Sequence, residues 1–371
     1  MPRTSHKAKI SSGAIPAEAL EAQFPKLNLP VQPPYLPEEA KSVAEIPSDP
    51  GWLYEPKWDG FRCLAFRDQD EIVLQSKAGQ PLGRYFPELV AALHEIPEQK
   101  FVLDGEIVVP GKTSLDFDAL LQRIHPAASR IRKLSQETPA QYLVFDLLVE
   151  RTRNLTAQHL SARRMALLAF ASKFKDSKRV KLSPATTDLQ MAQRWMSEGT
   201  SSGLDGVVAK RLDCEYTPGE RTAMVKIKRI RTADCVVGGF RWAQKGGQVG
   251  SLLLGLYNHS GQLDHVGFSS SFTKDERKKL KAIVKPLMNG EGFTGKAPGG
   301  PSRWAREDRN TEWFPLDPTL VCEVQYDHFS GGRFRHGTKF LRWRPEKKPK
   351  QCTMEQVLPN EEEHFLPLIG A

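Results

Sequence analysis

From residue 52 to residue 228 short apolar runs alternate with amphipathic stretches. Trp52-Leu53-Tyr54 and Cys63-Leu64-Ala65-Phe66 read as strand segments, so the polar stretch between them, with Lys57, is expected in a short turn. Residues 62–67 and 71–76 alternate as a strand pair about Asp68-Gln69-Asp70. Phe86 to His94 predicts a helix with Pro87 in its first turn and Leu89 and Leu93 on one face, and residues 117–124 predict another. Phe101 to Val109 predicts a buried strand pair or a bulged strand with Asp104, Gly105 and Glu106 in its middle, where acids need partners. Gln141 to Leu148 is a further strand; residues 162–172, capped by Ser161, and about 188–198, closed by Gly199, are helices. Leu204 to Lys210 and Ala223 to Lys228 follow as strands, and Lys226 and Lys228, two apart, share one face.

Beyond Arg231 the pattern shortens. Strand candidates lie at 233–240, 251–257, 262–267 and 320–326, separated by turns such as Lys245-Gly246-Gly247 and Ser260-Gly261, with a helix at 274–287 between the third and fourth. Short strands with one inserted helix predict a small barrel, best matched by the five-stranded oligonucleotide-binding (OB) barrel. The expected fold class is therefore α+β: a domain of antiparallel sheets with flanking helices at 31–231, then an OB barrel at 232–350. Residues 1–30 read as a basic, flexible arm with room for a short helix at 16–23, residues 288–302 as a glycine-rich loop, and residues 351–371 as a tail with solvated Glu361-Glu362-Glu363.

Composition narrows this picture. With 39% hydrophobic and 26% charged residues in 371, the chain reads as an ordinary soluble globular protein. No apolar run is long enough for a bilayer and no hydrophobic signal segment opens the sequence, so a cytoplasmic protein without membrane contact is expected. Cys63, Cys214, Cys235, Cys322 and Cys352 are far apart and form no Cys-x-x-Cys pair, which favours reduced core thiols over zinc ribbons or disulfides. The net charge of +9 favours a polyanionic partner. Residues 331–350 interleave Arg333, Arg335, Lys339, Arg342, Arg344 and Lys347 with Phe334, Phe340 and Trp343, a mixture suited to phosphate contact and stacking or to a solvated basic face.

The chemistry centres on Glu55-Pro56-Lys57-Trp58-Asp59-Gly60-Phe61-Arg62. A lysine amine becomes a nucleophile only where burial or neighbouring cations disfavour its charged form. Arg62 is one such neighbour and a metal ion would be another. Gly60 permits a tight turn or a close backbone approach.

The ordered set Lys57-x-Asp59-Gly60-x-Arg62, Ser76-Lys77-Ala78-Gly79, Asp104-Gly105-Glu106, Phe145-Asp146, Asp205-Gly206-Val207-Val208-Ala209-Lys210, Lys226-Ile227-Lys228 and Arg342-Trp343-Arg344-Pro345-Glu346-Lys347 resembles the covalent nucleotidyltransferases. That family holds DNA ligases, RNA ligases and messenger-RNA capping enzymes. Within it the chain is similar to bacterial ATP-dependent DNA ligases of the short two-domain C type, from about residue 31 to residue 357.

The resemblance implies that Lys57 takes AMP from ATP, passes it to a DNA 5′ phosphate, and that the adjacent 3′ hydroxyl then displaces AMP. It assigns Lys226 and Lys228 to the α-phosphate and Glu106 to the ribose or a metal. Asp205 would serve a Mg²⁺ or Mn²⁺ ion, Phe145 would stack on adenine, and Glu55 would lie where the base is read. Arg62 and Lys77 would contact sugar or phosphate, and Arg344 and Lys347 would orient the departing pyrophosphate after the barrel closes over ATP. Implied partners are nicked double-stranded DNA and repair proteins such as a DNA-end-binding factor or a polymerase; the implied state is a monomer at the bacterial nucleoid.

Three positions depart from the family pattern. Lys77 stands where arginine is usual, Asp205 is one methylene shorter than the usual glutamate, and Glu346 replaces an aspartate. The alternatives are an RNA ligase or GTP-using capping enzyme, and a non-catalytic nucleic-acid-binding barrel protein.

Overall fold

A computed structural model describes residues 24–112, 114–198, 204–243, 247–299 and 312–358. After Ile227 the chain divides into two compact units. The first contains strands β1 (Lys41–Val43), β2 (Trp52–Trp58), β3 (Phe61–Asp68), β4 (Glu71–Ser76), β5 (Lys100–Val108), β6 (Gln141–Glu150), β7 (Arg153–Asn154), β8 (Val180–Leu182), β9 (Leu204–Arg211) and β10 (Met224–Lys228). Its helices are α1 (Pro87–His94), α2 (Phe117–Gln122), α3 (Ala128–Glu137), α4 (Leu160–Ala171) and α5 (Leu189–Glu198).

These strands form two sheets. One runs β1-β10-β9-β2, with β1 parallel to β10 and β2 antiparallel to β9. The other runs β4-β3-β5-β6-β7, with β8 parallel on β6. The near-continuous apolar sequence of β6 follows from burial on both faces. Val144 and Leu147 pack with Leu89 and Leu93 of α1 and with Leu167 and Phe170 of α4, while Leu143 packs with Tyr54, Trp58, Trp195 and Val207. Strand β5 is bulged, with register shifts against β6 at Val102/Leu103 and Asp104/Gly105, and these re-aim the side chains around its two acids.

Several expectations need correction. Lys57 is not in a turn: it lies inside β2, and the chain turns at Asp59-Gly60. Residues 24–30, expected in the flexible arm, are packed, because Leu27, Leu29 and Val31 bury against Phe66, Val73 and Val149 on the outer face of the second sheet. The earlier part of that arm, its possible helix and Gly199 lie outside the described residues. Helix α3 and strands β1 and β8 had no reading, since each is too short or too polar to show a period.

In the second unit β11 (Arg231–Trp242), β12 (Val249–Tyr257), β13 (Leu263–Ser269), β14 (Phe314–Pro315), β15 (Val321–Tyr326), β16 (Phe329–Ser330), β17 (Arg333–Phe334) and β18 (Lys339–Trp343) accompany α6 (Lys274–Val284). The main sheet runs β13-β12-β11-β15-β18 around a core that includes Val236, Leu252, Leu254, Val266, Leu280 and Val324. Its two edges touch at one parallel bridge, Ser269 to Thr338, so the expected barrel is present as an open, unclosed sheet. The fifth strand, β18, is drawn from the basic segment. Helix α6 starts at a capping box, Thr273 with Glu276, and stops at Val284 because Pro286 has no N–H to continue it; residues 285–287 make one 3₁₀ turn. Among the described residues no helix is long and apolar enough to cross a membrane. All five cysteines are free thiols, four of them buried.

Candidate active site

The pairing of β2 with β9 sets Lys57 opposite Gly206, whose φ of +140° is a conformation suited to glycine. Asp205, the residue before it, presents Oδ2 to the Lys57 ammonium; the carboxylate side chain is 5% exposed and the lysine 20%. At the turn, a Cβ on Gly60 would stand 2.3 Å from the Ile107 carbonyl oxygen, so this glycine is what lets the β2–β3 connection press against β5.

Strands β3 and β5 supply the next groups, with Arg62 opposite Glu106. Arg62 donates from Nε and Nη2 to the two oxygens of Asp104 at 2.6 Å each, and the Tyr216 hydroxyl donates to Asp104 Oδ2 at 2.7 Å. Those are the partners that a buried acid in β5 requires. The Arg62 guanidinium lies 4.4 Å from the centre of the Phe145 ring. Glu106 has its carboxyl pushed up to about 7: burial raises it, Arg62 and Lys57 pull it down, and Asp59 and Asp104 raise it again.

A second buried pair lies near the same ring. Lys210 Nζ is 2.7 Å from Glu55 Oε2, both side chains at most 5% exposed, and 4.3 Å from the Phe145 centroid. Glu55 Oε1 is buried and has no hydrogen-bond partner among the described residues.

Of the residues expected at the site, Glu55, Lys57, Arg62, Lys77, Glu106, Phe145 and Lys226 line one pocket of about 140 Å³. That is below the ~300–1,000 Å³ usual for a whole ligand, so the pocket has room for only part of one. Asp205 joins it through its contact with Lys57. Lys77 is 54% exposed and pairs with Glu39 at 3.0 Å, and Glu39 also holds Arg221. Lys228 does not line this pocket; it is the first residue of the second unit, where its ammonium is 3.5 Å from Asp327 Oδ2. Arg344 and Lys347 also belong to that unit and share Asp234.

Lys210 closes the Asp205-to-Lys210 motif but has no role in the sequence reading, which names neither Glu39 nor Asp234 as a site residue. The signal for Lys210 was a lysine at an inward strand position with no stated partner; Glu39 and Asp234 carried none. Among the described residues no cluster of three or more His, Cys, Asp or Glu converges on a point. Glu106 and Asp205, both close enough to Lys57 to interact with it, are nonetheless a donor set that suits Mg²⁺, which takes one or two carboxylates and fills its remaining positions with water and substrate phosphate oxygens.

A family profile described as ATP dependent DNA ligase domain matches residues 34–228, and one described as ATP dependent DNA ligase C terminal region matches residues 245–347. The chain belongs to the ATP-dependent DNA ligase family. DNA ligase C1 of Mycolicibacterium smegmatis is 47% identical over 342 residues, 89% of this chain and 96% of that protein. Multifunctional non-homologous end joining protein LigD of Mycobacterium bovis is 30% identical over 316 residues, which span 82% of this chain and 37% of that protein. The solved structure of a Lig E DNA ligase matches with a TM-score of 0.51 at 15% identity, over 83% of this chain and 99% of that one, a likeness of fold. The ligase is of the C type and uses ATP.

Proposed function

We propose that this ligase seals nicks in duplex DNA through a covalent AMP on Lys57. The carrying observation is the position of that amine, paired with Asp205 in a pocket also lined by Arg62, Glu106 and Lys226. In the resting pocket the ion pair holds the ammonium, and attack requires that it open and lose a proton. The Lys57 nitrogen then bonds to the α-phosphorus of ATP as the bond to the β-phosphate oxygen breaks and pyrophosphate leaves. AMP passes to a DNA 5′ phosphate, which regenerates the amine, and the 3′ hydroxyl finally attacks that phosphate and expels AMP.

Charge gathers on phosphate oxygens at each step, so fixed cations are the main catalytic provision. Lys226 supplies one at the pocket, with Lys228 as the second family lysine, while Lys77 and Arg62 serve sugar and phosphate and Arg344 and Lys347 serve the pyrophosphate. Glu106 and Asp205 would hold a magnesium ion, whose contribution is to neutralise phosphate charge. Phe145 offers a ring for the base, and the open Glu55 Oε1 accepts from the exocyclic amine of adenine while repelling the carbonyl oxygen of guanine, which favours ATP over GTP.

Intact-protein mass after incubation with ATP and magnesium tests this reading. A gain of one AMP is expected, lost in Lys57→Ala with circular dichroism unchanged; absence of the adduct from the unaltered protein overturns it. The likeness to an end-joining protein supports a role in DNA repair, alongside a DNA-end-binding factor or polymerase, as a cytoplasmic monomer.

A further inference from the structure

The second unit carries a carboxylate that no step above uses. Asp234, on β11, is 9% exposed, and its two oxygens hold two different cations: Oδ1 accepts from Arg344 Nη1 at 2.8 Å, and Oδ2 lies 3.4 Å from Lys347 Nζ. Its own backbone is clamped. The Asp234 N–H donates to Gln356 Oε1 at 3.0 Å, and Gln356 Nε2 donates back to the Asp234 carbonyl at 3.2 Å. The turn that carries the cations is fixed as well, with Arg344 N–H bonded to the Val321 carbonyl at 2.9 Å and Lys347 N–H to the Arg344 carbonyl at 3.1 Å. Glu346 takes the Nε edge of Arg344, which leaves Nη2 without a hydrogen bond among the described residues.

From this geometry we infer that Asp234 is a positioning residue for pyrophosphate departure, holding Arg344 and Lys347 at a set spacing before ATP reacts. Arginine and lysine end long, freely rotating stems, and cations that must be ordered during the reaction cost entropy at that moment. A carboxylate gripping both has met that cost in advance, and its two oxygens impose a separation suited to the neighbouring oxygens of a phosphate. The guanidinium plane is pinned on two edges, by Asp234 and Glu346, with Glu323 Oε2 3.7 Å from Nη1, and Nη2 is the nitrogen left for a phosphate oxygen. Fixed charges of this kind act on the leaving group without reorganising.

The inference rests on the reading of Arg344 and Lys347 as pyrophosphate-orienting residues, and the experiment separates the two. Single-turnover formation of lysyl-adenylate from ATP is measured beside sealing of a pre-adenylated nick, which releases no pyrophosphate. Asp234→Asn is expected to slow the first at least tenfold, to slow pyrophosphate-driven loss of AMP from the adduct likewise, and to leave the second within twofold. Asp234→Glu, which keeps the charge, should recover most of the rate. Equal losses in both reactions, or none in the first, overturn the inference. Should Asp234→Asn not fold, Gln356→Ala loosens the backbone of Asp234 without touching its carboxylate, and the same split between reactions is required of it. Arg344→Ala is the control: if it leaves adenylylation unchanged the underlying reading fails, whereas if it slows adenylylation and Asp234→Asn does not, only the role of Asp234 fails.

Discussion

Lys210 and Glu55 show what a single buried contact does here. Each would be a costly charge in the apolar surroundings of β2 and β9, and each is tolerated because the other is 2.7 Å away. Removing one partner is worse than removing both. Lys210→Met should cost about 3–5 kcal/mol in urea unfolding, the usual penalty for stranding a buried charge, and should raise the KM for ATP because Glu55 is no longer held. Glu55→Gln with Lys210→Met should regain most of the stability. A loss below about 1 kcal/mol for the single variant would mean that Glu55 finds another partner or a proton. Lys57, Arg62, Glu106 and Phe145 could be named from their order along the chain, but Lys210 could not be given a role, because its partner lies on a strand distant in sequence and only the β2–β9 register brings them together.

At the scale of elements, the turn joining β2 to β3 works only with a glycine at position 60. Gly60→Ala sets a methyl 2.3 Å from a backbone oxygen of β5, and backbone cannot swing aside as a side chain can. Destabilisation of roughly 1–3 kcal/mol is expected from such overpacking, with a larger fractional loss of adenylylation, since Glu106 and the β2 end that carries Lys57 both shift. Strand β13 makes a prediction of its own. His265 packs edge-on against Phe293 at 5.2 Å, and burial first, then Arg241 and Arg333, lower its pKa to about 4. The folded state therefore prefers neutral imidazole, while the unfolded chain takes up a proton below about 6.5. The stability that His265 contributes is complete above that value and is lost as pH drops from there to about 4, by roughly 2 kcal/mol at pH 5. Glu106, whose carboxyl is pushed up to about 7, moves stability the opposite way over the same range, so the His265 contribution is read as a difference: between pH 7.5 and 5 the unaltered protein should lose roughly 2 kcal/mol relative to His265→Gln in urea unfolding. The strands and helices with clear period, such as β3, β4, β6 and α1, were legible in sequence. Strand β18 was not, because a short edge strand with exposed lysine and arginine has the composition of a basic loop. Leu27 and Leu29 were hidden in the same way, two apolar residues in a proline-rich and basic neighbourhood.

For the whole molecule the governing quantity is how much of its positive charge is left for DNA. The net charge is +9, from 53 basic and 44 acidic side chains, and many cations are consumed internally: Arg163 by Asp146, Arg123 by Glu88, Arg62 by Asp104. Among the exposed cations of the second unit Arg333, Lys339 and Lys348 are available to phosphates, while Lys350 donates to the Gly261 carbonyl and lies over the Tyr257 ring. Each phosphate neutralised releases condensed counterions, so the logarithm of nick affinity should fall linearly with the logarithm of salt, with a slope near −0.9 per contact. For roughly 6–10 contacts this amounts to about 10³–10⁵ in affinity between 50 and 200 mM salt. Arg333→Ala with Lys339→Ala should shallow the slope by about 1.8, if both touch the duplex backbone. Lysyl-adenylate formation, which involves no DNA, should keep its rate in that double variant. Titrating a labelled nicked duplex across four salt concentrations gives both slopes directly. A shallow slope in the unaltered protein would mean that binding is carried by packing and base stacking at residues such as Phe340 and Trp343, and the pair of substitutions would then lower affinity little at any salt.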